Sequence, residues 1–232
     1  LELGCVYALV ALALFLSYSI LNIADLSTDG CFTLGCAVCC QVTLMGHPFL
    51  GLLAAMAAGV LSGYITAFLQ TRLGVESILA GIIVNTGLYT INLMAMGFSS
   101  TLSVFKCDTI FSLAKSALSG VLGGALAGWS KLLVAAVIAL TVALLLTWFL
   151  KTRLGLSIRA TGDSPDMIRA SSVNPAFTIA VGLCISGSLT ALSGAVLAQY
   201  QGYADINTGI GIVVVGLASV IIGEVLFGRR SL

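Results

Sequence analysis

The chain has 232 residues, 59% of them hydrophobic and 8% charged, with ten Lys and Arg against nine Asp and Glu. A soluble domain carries about 25% charged residues, so this composition, with a mean hydropathy of +1.13, excludes that class and predicts an integral membrane protein. A net charge of +1 says nothing about nucleic acid, but no basic stripe with interleaved aromatics appears, and no nucleic-acid partner is expected.

The apolar stretches reach about 20 residues without period-two alternation, so they read as helices rather than barrel strands. About seven membrane segments are expected, some short or broken, giving an all-α polytopic membrane protein in which residues 1–232 form one transmembrane domain. Leu3–Leu21 is the first span; it lacks the basic start and cleavage site of a signal peptide. It runs into the polar stretch NIADLSTDG, Asn22–Gly30. The uncharged run from Gly30 to Thr71 is too long for one span, and Gly46-His47-Pro48 divides it at a turn. Cys31–Met45, before the turn, is short for a bilayer of about 30 Å and reads as a half-helix; Phe49–Leu69, after it, is a full span.

Gln70–Glu76 is a short basic turn, and Ser77–Met96 is the next span. Residues 97–130 form a longer polar and Gly/Ala-rich connection, expected outside the cytoplasm. Its VLGGALAG segment (Val121–Gly128) suits close helix packing. Leu132–Leu150 spans again. The loop Lys151–Asn174 then holds six of the nineteen charged residues, four of them basic, which places it in the cytoplasm by the positive-inside rule. Inside it Ser164 can cap a helix, Pro165 suits the first helical position and Asp166 complements the dipole, with Met167, Ile168 and Ser171 on one face. Such a loop reads as a docking element for a soluble partner. Pro175–Ala195 spans back, Gln199–Gly211 is a second polar break, Ile212–Phe227 is another short apolar piece, and Arg229-Arg230 follow.

Seven cysteines occur, six in apolar stretches. They read as small packing residues, with no ligand spacing for a metal and no disulfide framework. No cofactor is expected.

Two internal echoes stand out. FLQTRLGV (Phe68–Val75) matches FLKTRLGL (Phe149–Leu156) at six of eight positions. Both read as helix ends with Gly74 and Gly155 as left-handed caps. ADLST (Ala24–Thr28) pairs with ADINT (Ala204–Thr208), each before a short Gly-containing apolar segment. Short, interrupted segments in corresponding places of two halves point to a transport site. The candidates for a path are therefore Asp25, Thr28 and Asp29 in the first break, and Asp205 and Asn207 in the second. Asp29 has a second reading, as a cap for the helix that follows it, and Asp205 as a solvated residue at the outer face. Asn85, Tyr89 and Asn92 share one helix face and serve either as path lining or as glue between helices. Glu224, near a span end, either pairs with Arg229 or Arg230 or takes a buried role. His47 marks an outer turn.

NIADLSTDGCFTLG, SIRATGDSPDMIRASSVN and LSGAVLAQYQGYADINTGIGIVVVGLASVIIGEVLFGRR together resemble the membrane permeases of bacterial ABC importers. The type is that of branched-chain amino acid and ribose permeases, closest to the subgroup of tryptophan/tyrosine-type amino acid permeases. The resemblance implies a bacterial inner-membrane protein working as a dimer with a second permease copy. It also implies cytoplasmic ATP-binding-cassette subunits and an extracytoplasmic solute-binding protein as partners. It makes Gly162–Ser172 the ATPase-coupling helix, with Gly162, Asp163, Ser164, Pro165, Asp166, Met167, Ile168 and Arg169 as its contact residues. The family continues beyond the final GRR, so the chain reads as part of a longer permease. No G-x-x-x-x-G-K-[ST] loop occurs, and hydrolysis is expected on the partners, not here. The alternative is a secondary transporter driven by an ion gradient, with Glu224 as the coupling carboxylate.

Overall fold

A computed structural model describes residues 1–105, 107, 109–113, 130–164 and 174–227. Helix α1 covers Glu2–Leu14 and continues as a π-helical segment, Phe15–Ile20. It is followed by α2 (Thr28–Leu44), α3 (Pro48–Arg72) and α4 (Ser77–Ala95). Strand β1 is Thr101–Ser103, α5 is Ser130–Leu150 and α6 is Arg153–Asp163. Then come α7 (Pro175–Gln201), β2 (Tyr203–Asp205) and α8 (Ile212–Phe227).

Among the described residues, five helices are long and apolar enough to cross a membrane: Glu2–Ile20, α3, α4, α5 from Lys131, and α7. α2 and α8 are apolar but shorter. At 17 residues, α2 is about 25 Å long, the half-helix its length implied. The chain is thus a helical, multi-pass membrane protein. Among the described residues it departs from a purely α fold in one place, where β1 and β2 pair antiparallel with Leu102 opposite Ala204. Three-residue strands carry too little pattern to be read locally.

The helices are held together by backbone approach. In hydrocarbon, apolar side chains gain little by leaving lipid for protein, so close packing and polar contacts drive association. α7 is the central helix, buried along most of its length, whereas α5 is largely exposed. It runs antiparallel to α3, and the two touch at Gly59 against Gly187 and at Gly63 against Leu183. α2 packs on another face of α7, where Gly35 meets the Ala191 carbonyl and Gly194 meets that of Phe32. Short side chains complete the contacts. Ser186 Oγ donates to Ala13 O at 3.0 Å and Ser193 Oγ to Val6 O at 2.7 Å, tying α7 to α1. Cys31 and Cys36 donate to the Gly187 and Gly194 carbonyls. All seven cysteines are free. Gln199, placed in the second break by its polarity, is instead a buried helical residue. Its amide donates to Pro48 O at 2.9 Å and accepts from Ile110 N at 3.1 Å.

The repeated TRLG is used in two ways. Gly74 has φ +67° and nothing near its missing side chain; Val75 N closes back on Leu69 O at 3.2 Å. This is the left-handed cap that the motif predicts. Gly155 is different. Thr152 caps α6, accepting from Gly155 N at 3.3 Å, so Gly155 is helical and lies against Phe149 and Leu150. Both copies carry a threonine at this position, but Thr71 bonds back to Ala67 O within α3 while Thr152 also caps the helix that follows. Gly74→Ala is expected to cost about 1 kcal/mol through left-handed strain alone. At Gly155 a Cβ would lie 2.5 Å from Leu150 Cα, so Gly155→Ala is expected to cost about 1–3 kcal/mol by forcing α5 and α6 apart. Thermal unfolding of the two variants in detergent would rank them, and equal losses would contradict the assignment.

α6 occupies the first half of the charged loop. Of the residues expected in the coupling element, Gly162 packs directly on the Ile20 carbonyl. Asp163 is the last helical residue, and Ser164 is extended with its N–H on Ala160 O. Pro165, Asp166, Met167, Ile168, Arg169 and Ser171 lie outside the described residues, as do Val121–Gly128 and Arg229-Arg230. α6 is tied to the start of α7 by Thr161 and Thr178, whose hydroxyls are 2.8 Å apart.

Candidate functional site

The two polar breaks fold by the same local chemistry. Asp25 Oδ1 accepts Ser27 N at 2.9 Å and Ser27 Oγ at 2.6 Å, and Asp205 Oδ1 accepts Asn207 N at 2.7 Å. Each is an aspartate bonding the backbone two residues on, a local turn of the kind aspartate favours. Thr28 Oγ1 bonds the Asp25 carbonyl and Thr208 N the Asp205 carbonyl. The echo of ADLST in ADINT is therefore an echo of one turn, and both aspartates are engaged in it.

Asp29 does something else. Its residue type and position suggest a cap for its own helix. In the structure its carboxylate reaches the other break, accepting Gly211 N at 3.1 Å and Val213 N at 2.9 Å. It caps α8, across 182 and 184 positions of sequence. Gly209 lies against the Asp29 carbonyl and Thr33, where no side chain would fit. The amino termini of the two short helices thus meet and are joined by one acidic side chain. A helix amino terminus attracts anions, and here the chain supplies its own.

The face of α4 closes over this junction. Asn92 is buried and its Nδ2 donates to Gly30 O at 3.1 Å, while its Oδ1 has no partner among the described residues. Asn85 sits over Gly30, with its Oδ1 where a Cβ would be. Between α2, α4 and the approach to α8 lies a cavity of about 470 Å³. Asp29, Gly30 and Thr33 line it from α2; Asn85, Thr86, Tyr89, Thr90 and Asn92 from α4; Ile206, Gly209 and Ile210 from the second break. The structure thus gathers Asp29, Asn85, Tyr89 and Asn92 in one place. Asp25, Thr28, Asp205 and Asn207 do not line it. Thr86 and Thr90 were not singled out from the sequence, although each follows a lining residue and widens the same stripe. Gly162, Asp163 and Ser164 sit apart, at the end where α1 finishes.

One carboxylate and no described Lys or Arg line the cavity; amides and hydroxyls from α2 and α4 share it with the apolar side chains of Ile206 and Ile210. Its open side is as informative as its floor. Thr86, Tyr89 and Thr90 are exposed on a helix apolar enough to span a membrane; Thr86 Oγ1 donates to Ile82 O of its own helix at 2.9 Å, so Tyr89 and Thr90 are the ones that ask for a polar surrounding. Polar side chains do not face hydrocarbon without partners. Glu224, by contrast, accepts from Ser19 Oγ at 2.6 Å, which ties the far end of α8 to α1.

The sequence matches known proteins over nearly its whole length. The profile of the family described as "Branched-chain amino acid transport system / permease component" matches residues 1–229. A "Tyrosine transport system permease protein" from Clostridioides difficile (strain R20291) is 34% identical over 225 residues, 97% of this chain and 71% of the relative. The uncharacterized protein RP368 of Rickettsia prowazekii (strain Madrid E) is also 34% identical, over 98% of this chain and 76% of that protein. No solved structure matches the chain. With a family profile running nearly end to end over broken helices of the kind that transporters use, the chain belongs to the branched-chain amino acid transport system permease family.

Proposed function

We propose that the chain is the permease subunit of an ATP-driven importer in a bacterial cytoplasmic membrane, carrying a small polar solute, an amino acid, into the cell. The relative named for tyrosine transport makes an aromatic amino acid the first solute to test. ATP-binding-cassette subunits on the basic side would supply the energy, a solute-binding protein would deliver the solute to the opposite side, and a second copy would complete the path. The observation that carries this reading is the polar stripe of α4, open at membrane depth beside the junction of two broken helices. A wet path or a second copy satisfies such a stripe; lipid does not. In this reading Asn85, Thr86 and Tyr89 line the path, Asp29 holds the junction, and residues 162–172 receive the motion of the ATPase.

The test is uptake and ATP hydrolysis measured together, with the whole transporter in liposomes. Asn85→Leu with Tyr89→Leu should lower tyrosine uptake at least tenfold while the permease still assembles. Asp166→Ala with Arg169→Ala should leave ATP hydrolysis running and abolish uptake. Full transport by both variants would defeat the proposal. Uptake that survives loss of the ATPase, and collapses with the proton gradient, would favour an ion-driven carrier instead.

A further inference from the structure

α3 and α7 are in tight backbone contact at Gly59–Gly187 and Gly63–Leu183, and then they part. Beyond Gly63 the α3 side carries Tyr64 and Phe68, and the facing α7 side carries Ala180 and Phe177. These bulky and small residues leave a groove of about 420 Å³ that ends at Arg72 and Asn174. The Tyr64, Phe68 and Phe177 rings are 55%, 45% and 56% exposed, so the groove is open to whatever surrounds the helices. From Tyr64 to Arg72 is eight residues of helix, or about 12 Å of depth.

The groove is apolar along its length and basic at its mouth. Arg72 is exposed and has no hydrogen bond or ion pair among the described residues. Asn174 spends its Oδ1 on Ala176 N at 3.0 Å, which leaves its NH₂ as a donor. Thr71 spends its hydroxyl proton on Ala67 O. Lys151, Arg153 and Arg159 belong to the same end of the molecule, reached through α5 and α6. A ligand that fits must bring a phosphate-like anion to the mouth and a hydrocarbon chain to the groove.

We propose that the groove between the Arg72 end of α3 and the start of α7 binds an anionic phospholipid, its phosphate on Arg72 and Asn174 and an acyl chain along Tyr64, Phe68 and Phe177. The aromatic rings supply the flat apolar wall, and the guanidinium supplies the preference for net negative charge. This site is separate from the cavity at Asp29 and does not depend on its role.

Native mass spectrometry of the full chain in detergent tests it. Phosphatidylglycerol is expected to be retained about fivefold more tightly than phosphatidylcholine, the preference one basic contact gives at an anionic surface. Arg72→Gln should remove that preference, and Arg153→Gln, an exposed cation at the same end, should keep it. Glycerol 3-phosphate, the headgroup without chains, should not bind measurably. The proposal is overturned if Arg72→Gln keeps the preference or if Arg153→Gln loses it equally. Binding of glycerol 3-phosphate as tight as that of the lipid would likewise overturn it, making this a free-phosphate site. Circular dichroism of both variants guards against misfolding, to which exposed side chains contribute little.

Discussion

Replacing Asp29 by alanine is expected to cost roughly 2–4 kcal/mol of stability and to abolish transport. The carboxylate holds the Gly211 and Val213 amides; Val213 is buried, so its amide has no ready substitute, while half-buried Gly211 is nearer the cavity that Asp29 lines. Two free amides, each costing about 1–3 kcal/mol when buried unpaired, would let α8 swing from α2. Asp29→Asn should lie between wild type and alanine: its one oxygen can accept from one amide, while its NH₂ opposes the other. Thermal unfolding in detergent should give the order wild type, Asn, Ala, and uptake should fall in the same order. An alanine variant that melts and transports like wild type would show that the junction carries no energy. Asp25→Ala separates the two aspartates. Its carboxylate serves only Ser27 among the described residues, so its loss should loosen one turn and leave α8 in place.

Gly59→Leu should prevent folding altogether. The backbones of α3 and α7 touch at Gly59 and Gly187, and a Cβ on either would enter the carbonyl of the other. A flexible side chain could move aside; a backbone in the middle of two helices cannot. The helices would have to separate, which also breaks the Cys31 bond to Gly187 O and the Gly63 contact one turn away. Overpacking in a core typically costs about 1–3 kcal/mol, and here the loss extends along the whole helix pair. Gly59→Ala should be poorly folded, and Gly59→Leu should be absent from the detergent-extractable fraction. Gly87, with nothing within 4 Å of its missing side chain, is the control; Gly87→Ala should fold normally. Recovery of well-folded Gly59→Leu would mean that α3 and α7 are not in backbone contact.

The difference between these glycines shows how far the amino-acid order can be read. Gly59 and Gly87 look alike in sequence, each inside an apolar helix. One touches a helix some 130 positions away and the other touches nothing. In water the apolar face of a helix marks its core side. In a membrane, lipid and core are both apolar, and that mark fades. For the same reason Asn85, Tyr89 and Asn92 could be placed on one face of α4, but not on either side of the boundary between glue and cavity. In the structure all three line the cavity, Asn92 from a buried position bonded to Gly30 O and Tyr89 from an exposed one.

Features with a local cause were legible. Run length and Gly46-His47-Pro48 gave the half-helix and the start of α3, because Pro suits a first helical turn and a bilayer demands about 20 residues. The shared turn in ADLST and ADINT needs only an aspartate and the amide two residues on. Features with a distant cause were not. Nothing near Asp29 announces Gly211, nothing near Gln199 announces Pro48, and β1 finds β2 across about half the chain. Composition and spacing settle that this chain lives in a membrane as helices, because hydrocarbon tolerates no unpaired backbone. Which broken helix Asp29 caps, and which side of α4 opens into a cavity, follow from packing, because such contacts form between segments whose residues bear no mark of one another.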